Sequence, residues 1–226
     1  IFYKMLNEFR DFPATSVGLT DILQARKRLT GLILRTPLLY SQAFSQKTGC
    51  QIYLKMECWQ LCGCFKVRGA INMVASLTDE ERNRGLVTCS SGNHGTALAF
   101  SASLFGQPPT KVFLPKTSAP VKINKLESYG AEAILHGEHF LETLDEALRY
   151  TEETGATYVH SHGHPLVIAG QGTIGLEIIE DLPDGETILI PIGGGGLCSG
   201  IAMAVKAAAP QTRILGVEPT AAPGAY

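Results

Sequence analysis

The 226-residue sequence contains no apolar run near the roughly 20 residues that a membrane helix needs. Its first residues, "IFYKMLNEFRDF", lack the apolar core and small-residue cleavage site of a signal peptide. They also lack an initiator Met, which suggests a trimmed or processed chain. Neither sign of charge dominates. There are 19 Lys and Arg against 21 Asp and Glu, a net charge of -2 and a pI near 6.3. The basic residues are scattered, and "RKR" (Arg26 to Arg28) is the only short cluster. That pattern argues against a nucleic-acid surface or a polybasic membrane patch. Six cysteines, at 50, 58, 62, 64, 89 and 198, include no CxxC. They read as reduced, intracellular thiols, so a cytoplasmic protein is expected, with a mitochondrial one open. Cys58, Cys62 and Cys64 lack the second half-site that a structural zinc would need. Short-period repeats and low-complexity linkers are absent too.

What remains is an ordinary globular composition, 45% hydrophobic and 18% charged. It is enough chain for one large or two small domains. Asp21 to Leu32 reads as a helix with Thr20 as a candidate N-cap. "RTPLLYS" reads extended, as the residue before Pro37 should, and "QIYLKMEC" (Gln51 to Cys58) reads as a strand. Helices follow at Arg68 to Ser76 and at "TDEERNR", where Thr78 and Glu81 are spaced as a capping box. From Leu86 the chain alternates strand and helix, with Gly106, Gly130 and Gly155 as helix stops. Such alternation predicts βαβ units and parallel sheet. The fold class is α/β, with two open, twisted, mostly parallel sheets flanked by helices. A small domain, residues 85–159, is inserted into a large one built from residues 1–84 and 160–226. The last strand, "RILGVEP", has no helix after it, so the large domain is expected to continue past Tyr226.

Three loops carry unusual chemistry. In "CGCFKVRGA" (Cys62 to Ala70) a lone Lys66 sits among apolar and small residues ahead of a helix. The plain reading is a surface lysine at a turn. The sharper one is a desolvated amine, since burial lowers a lysine pKa and frees its lone pair for a carbonyl carbon. In "PIGGGGLCSG" a buried strand runs into Gly193, Gly194, Gly195 and Gly196 before a helix. Backbone N–H groups and a helix N-terminus there suit an anion, foremost a phosphate. The run is neither GxGxxG nor a P-loop. In "CSSGNHG" four polar residues, Ser90, Ser91, Asn93 and His94, crowd a helix start where one would suffice as a cap. They could hold a carboxylate, and Ser91 could relay a proton. The spacing is not that of a GxSxG elbow.

Together these loops resemble the β-family (fold type II) of pyridoxal-phosphate enzymes, whose architecture is tryptophan-synthase-β-like. The nearest pattern is the serine/threonine dehydratase and serine racemase branch. "CFKVRGAIN" resembles its lysine motif and "SSGNHGTALA" its asparagine loop. "VIAGQGTIGLEI" is similar to a run between its two domains, and "PIGGGGLCSGIA" to its phosphate loop. The likeness runs from about Thr20 to Glu218.

The resemblance implies pyridoxal 5'-phosphate as cofactor, bonded through its aldehyde to Lys66. Lys66 would also take the α-proton. Phe65 would support the ring, Asn93 its phenolic oxygen, and Gly193, Gly194, Gly195, Gly196 and Leu197 the phosphate. Ser90, Asn93 and His94 would surround the substrate carboxylate. Ser91 would be the acid/base on the opposite face. Glu218, with the Ala222 carbonyl, matches a site for a divalent cation such as Mg or Ca. The group that would bond the pyridine nitrogen falls in the part past Tyr226. Cys64 departs from the usual Ser, and His162 and Gly163 depart from the usual ring-adjacent pair, which bears on substrate choice. Alternating His160, His162 and His164 read as loop histidines, with a metal on one strand face as the rival reading. The expected activity is a serine or threonine dehydratase (ammonia-lyase) acting as a homodimer on a small hydroxy amino acid. Serine racemase, cysteine-synthase-like β-replacement and a non-catalytic binding module are the alternatives.

Overall fold

A computed structural model describes residues 17–221. The first element, helix α1 (Leu19–Leu29), starts earlier than the sequence suggests. Its cap is Gly18 rather than Thr20, because the Asp21 carboxylate reaches back to accept the Gly18 N–H at 2.8 Å. Strand β1 (Leu38–Tyr40), helix α2 (Gln42–Thr48) and strand β2 (Tyr53–Lys55) follow. β1 and β2 pair antiparallel, Leu39 opposite Leu54. This pairing was not read from the sequence. β2 is shorter than the expected strand because the chain turns into 3-10 turns at Glu57–Trp59 and Leu61–Gly63.

Helix α3 (Lys66–Ser76) then begins on the lysine itself, and α4 (Asp79–Arg84) carries the expected Thr78–Glu81 box. Strands β3 (Leu86–Cys89), β4 (Thr110–Leu114), β5 (Glu132–Leu135) and β6 (Thr157–Tyr158) form one all-parallel sheet in the order β5-β4-β3-β6. The connecting helices are α5 (Asn93–Ser103), α6 (Pro120–Glu127) and α7 (Phe140–Thr154). Side chains of one strand alternate between faces. Val112 and Leu114 pack with Ala99 and Leu126 of α5 and α6, while Val87, Cys89 and Phe113 pack with Leu144 and Ala147 of α7. Both faces are therefore covered, which is why β3 and β4 read as nearly continuous apolar runs.

The last elements are α8 (Pro165–Asp181), β7 (Thr187–Pro191), α9 (Gly196–Ala208) and β8 (Arg213–Val217), with β7 and β8 parallel. The two parallel sheets foreseen are both present.

Helix α8 is the centre of the remaining layer. It touches α1, α3 and α9, and its glycines set how closely. A Cβ at Gly170 would lie 2.6 Å from the Arg68 carbonyl oxygen on α3. One at Gly172 would lie 2.8 Å from Ile22 on α1 and 2.9 Å from the Gly200 carbonyl on α9. Real side chains at these positions would push the helices apart. The close approach brings the N-terminal ends of α3 and α9 to one cavity.

Candidate active site

Lys66 and the glycine run line a single cavity of about 240 Å³, with Phe65, Ser161, His162, Gln171, Pro191, Ile192 and Leu197. Lys66 occupies the first position of α3, where the helix dipole already opposes a positive charge. Its Nζ donates to the Ser161 carbonyl at 2.6 Å and stands 5.5 Å from the centre of the Phe65 ring. Burial pushes the amine below the usual lysine value, while the Cys64 thiol beside it opposes that shift weakly. Among the described residues no carboxylate makes an ion pair with it. Such an amine exists uncharged far more readily than a surface lysine, which is the state that attacks a carbonyl carbon.

Next to this lysine in the chain is a buried ionic cluster that the sequence reading passed over. Arg68, two residues on, is completely buried. Its guanidinium grips Glu57 at 2.9 and 2.7 Å and Glu177 at 2.6 and 3.0 Å. Lys55 adds a 2.6 Å bond to Glu177, and Thr36 Oγ1 donates to Glu57 at 2.5 Å. Both forks are bidentate, the geometry that a guanidinium favours. Four elements are thus tied to the first turn of α3 and to one another. The signal lay in the sequence as one arginine inside the otherwise apolar "KVRGAIN".

The glycine run opens α9, with Gly195 in the left-handed region at φ 83°. Packing also requires two of its glycines. A Cβ at Gly194 would lie 2.3 Å from the His162 ring, and one at Gly196 would lie 2.4 Å from the His162 carbonyl oxygen. They make room for His162. Gly193 and Gly195 would meet nothing within 4 Å and leave their side of the loop open.

The histidines are held by local hydrogen bonds. His160 Nδ1 accepts the backbone N–H groups of His162 and Gly163 at 3.1 and 2.6 Å. His162 Nδ1 shares a 2.8 Å hydrogen bond with Ser161 Oγ, and His164 Nδ1 caps α8 through the Leu166 N–H. Burial, aided by neighbouring histidines and Lys66, pulls His160 down to about 3 and His162 to about 4. Among the described residues no three His, Cys, Asp or Glu are grouped to hold a metal ion. Glu218 follows β8, and Ala222 lies outside the described residues.

The asparagine loop is placed differently. Ser91 and Asn93 line a separate hollow of about 190 Å³ with Thr96, Val121, Lys122 and Lys125. Ser90 Oγ accepts the Gly92 N–H at 3.3 Å. His94 is buried, and its Nε2–H donates to the Val159 carbonyl at 2.9 Å. Burial brings its pKa down to about 4. The expected carboxylate residues therefore share one loop, yet they do not open onto the lysine cavity.

The lysine cavity suits a group with an aldehyde at one end and a phosphate at the other. It offers a low-affinity amine, an aromatic face, an open glycine turn at a helix N-terminus, and one orphaned amide. Both polar atoms of the Gln171 side chain are buried without a hydrogen-bond partner. No helix among the described residues is long and apolar enough to cross a membrane.

Comparison with known proteins agrees with this chemistry. Residues 29–226 match the family model described as "Pyridoxal-phosphate dependent enzyme". The chain is 48% identical over 202 residues to an L-threonine ammonia-lyase of Thermotoga maritima, covering 89% of this chain and 50% of that protein. It is 40% identical to a serine racemase of Oryza sativa subsp. indica, covering 89% of this chain and 59% of the relative. The solved structure of maize serine racemase superposes with a TM-score of 0.89 at 38% identity, over 92% of this chain and 63% of that one. The chain thus spans about half to three-fifths of the length of these curated relatives.

Proposed function

The chain belongs to the pyridoxal-phosphate dependent enzymes, and from that membership we propose that it is an ammonia-lyase (dehydratase) converting L-threonine or L-serine to a 2-oxo acid and ammonia. One observation carries the reading most. A lysine of lowered proton affinity shares its cavity with an open glycine turn at a helix N-terminus.

Pyridoxal phosphate, when bound, supplies an aldehyde for an amine and an electron-withdrawing ring that acidifies the α-proton of an amino acid. In this reading Lys66 would hold it through its amine, the N–H groups of Gly193 to Leu197 would take its phosphate, and Phe65 would support its ring. The freed Lys66 would then be the base, accepting the substrate's α-proton at Nζ. The Ser161 carbonyl, now 2.6 Å from Nζ, gives the resulting ammonium a resting place. The β-hydroxyl leaves with a proton as water. Addition of water to the product then releases ammonia and the 2-oxo acid, so the net reaction neither consumes nor yields water.

The asparagine loop is the substrate side of this reading, with Ser90, Asn93 and His94 toward the carboxylate and Asn93 toward the ring oxygen. Because Ser91 and Asn93 now line a neighbouring hollow, that role needs the loop to move toward the cavity. The four-stranded sheet that carries the loop lies within residues 86–158. This supports residues 85–159 as a small domain closing on a large one, residues 1–84 and 160–226. Serine racemisation is the second reading, favoured by the relatives that bear that name. It requires an acid on the face opposite Lys66, a role that would fall to Ser91 once the loop moves toward the cavity. A homodimer and a cation at Glu218 complete the proposal.

The test is a visible absorption spectrum of the purified chain with pyridoxal phosphate, followed by borohydride reduction and peptide mapping. The expected result is a pyridoxyl mass on Lys66, lost in Lys66→Ala, and 2-oxo acid from threonine or serine. A label elsewhere, or none, would refute the site. A labelled Lys66 that yields only D-serine would replace the lyase by the racemase.

A further inference from the structure

Gln171 occupies the second turn of α8 and is 1% exposed, yet neither its Oε1 nor its Nε2 has a hydrogen-bond partner. Leaving a buried polar group unpaired is costly, and native interiors rarely tolerate it without a reason. The side chain is not simply trapped in the core, since it lines the cavity that holds Lys66. Its direction is fixed by α3. A Cβ at Gly69 would lie 2.6 Å from Gln171 Nε2, so the amide lies directly over Gly69. Gly69 is three residues past Lys66 and therefore on the same helical face. The orphaned amide thus sits against the face of α3 that carries the reactive lysine.

We propose that Gln171 is a positioning residue for Lys66: its amide oxygen takes the Lys66 amine when that amine leaves the Ser161 carbonyl, and its lack of charge lets the amine lose its proton. A carboxylate in the same place would hold the amine equally well and defeat its chemistry, because an anion nearby stabilises the ammonium. An apolar side chain would leave the freed amine without an acceptor. An amide accepts a hydrogen bond here without adding charge. The other groups that bear on the Lys66 charge are Cys64 on the preceding turn, His94 on α5, and His160 and His162 after β6. None of these histidines carries a charge near neutral pH, since burial holds all three at about 4 or below. A new carboxylate at 171 would therefore be the dominant charge facing the lysine.

The inference rests on Lys66 being the amine of the proposed function, but its test needs neither cofactor nor turnover. Competitive acetylation of the cofactor-free chain across pH, read by mass mapping of the Lys66 peptide, gives the midpoint of that amine. The wild-type midpoint is expected below the ordinary lysine value of about 10.4. Gln171→Glu should raise it by about 1–3 units. Gln171→Leu should lower it by about half a unit, through the lost amide dipole and added desolvation. The leucine variant should also match or exceed the wild-type melting temperature, because it removes an unpaired amide. A folded Gln171→Glu with an unmoved midpoint overturns the proposal. Should that variant fail to fold, an unmoved midpoint in Gln171→Leu does the same. So does a melting temperature several degrees lower in Gln171→Leu, which would give the amide a structural partner. A shifted lysine without 2-oxo acid formation would refute the lyase reading and leave Gln171 in place. Turnover with an unshifted lysine would do the reverse.

Discussion

Replacing Arg68 by Met tests how the lysine turn is held. The guanidinium is wholly buried and makes four hydrogen bonds of 2.6–3.0 Å to Glu57 and Glu177. It adds longer ones to Thr173 at 3.2 Å and the Leu34 carbonyl at 3.5 Å. Without it the two carboxylates fare differently. Glu177 keeps Lys55 at 2.6 Å. Among the described residues Glu57 keeps only the Thr36 hydroxyl. The variant therefore leaves one largely uncompensated carboxylate in the interior. Breaking a buried pair on one side costs about 3–5 kcal/mol. For a chain of this size each kcal/mol moves the melting temperature by about 2–4 °C, so a fall of about 6–20 °C is expected by circular dichroism. Adding Glu57→Gln should recover part of the loss, since it removes the orphaned charge, and the two substitutions should be strongly non-additive. Arg68→Lys should be nearly as damaging as Arg68→Met, because one ammonium cannot serve two bidentate carboxylates. A fall below about 2 °C in Arg68→Met, or simple additivity with Glu57→Gln, would refute the reasoning.

Gly196→Ala and Gly193→Ala separate the two uses of the glycine run. The first drives a Cβ to 2.4 Å from the His162 carbonyl and should cost about 1–3 kcal/mol in a urea titration; the second meets nothing within 4 Å and should leave stability unchanged. Gly170→Ala, with its Cβ 2.6 Å from the Arg68 carbonyl, should destabilise by a similar amount and loosen the α3–α8 contact. The buried histidines give an acid dependence whose sign is fixed. His94, His160 and His162 titrate at about 4, 3 and 4 when folded, against about 6.5 when unfolded, so the unfolded chain binds protons first as pH falls. Their contribution is full above about pH 6.5 and is lost as pH falls toward 4. The urea midpoint should therefore already drop between pH 6.5 and 5, above the range of ordinary carboxylates, and a flat midpoint there would contradict their burial.

The order of elements was legible because each carries its own local signal. The Thr78–Glu81 box formed as spaced, with the Glu81 carboxylate taking the Thr78 N–H at 2.7 Å. The parallel ladder of β3, β4 and β5 was legible because both its faces are covered. "LVTC" and "TKVFL" are accordingly mostly apolar, with Val, Phe, Leu and Cys turned to both faces. The β1–β2 pairing was not legible. Each strand is three residues long and half-exposed, and the register is fixed by contacts distant in sequence. Lys66 and the glycine run could be picked out as chemistry, because a lone amine among small residues and four consecutive glycines are both improbable as packing alone.

What the sequence could not convey is how those pieces are brought together, and the reason is physical. Lys66 and Gly193 are far apart along the chain, and nothing local in either loop requires the other. The requirement resides in α8, where Gly170 and Gly172 let α3 and α9 approach until backbone meets backbone. In a sequence, "VIAGQGTIGLEI" reads as a mediocre helix, because glycine costs about 1 kcal/mol per residue relative to alanine in a helix interior. The structure shows what offsets that cost. The same close packing buries Gln171 with no partner and turns it toward the lysine. Propensity and hydrogen-bond satisfaction are thus both violated within three residues of one helix. The glycines answer to packing, since alanine at 170 or 172 would clash, whereas the unpaired amide between them serves no packing need and is better explained by the site it lines.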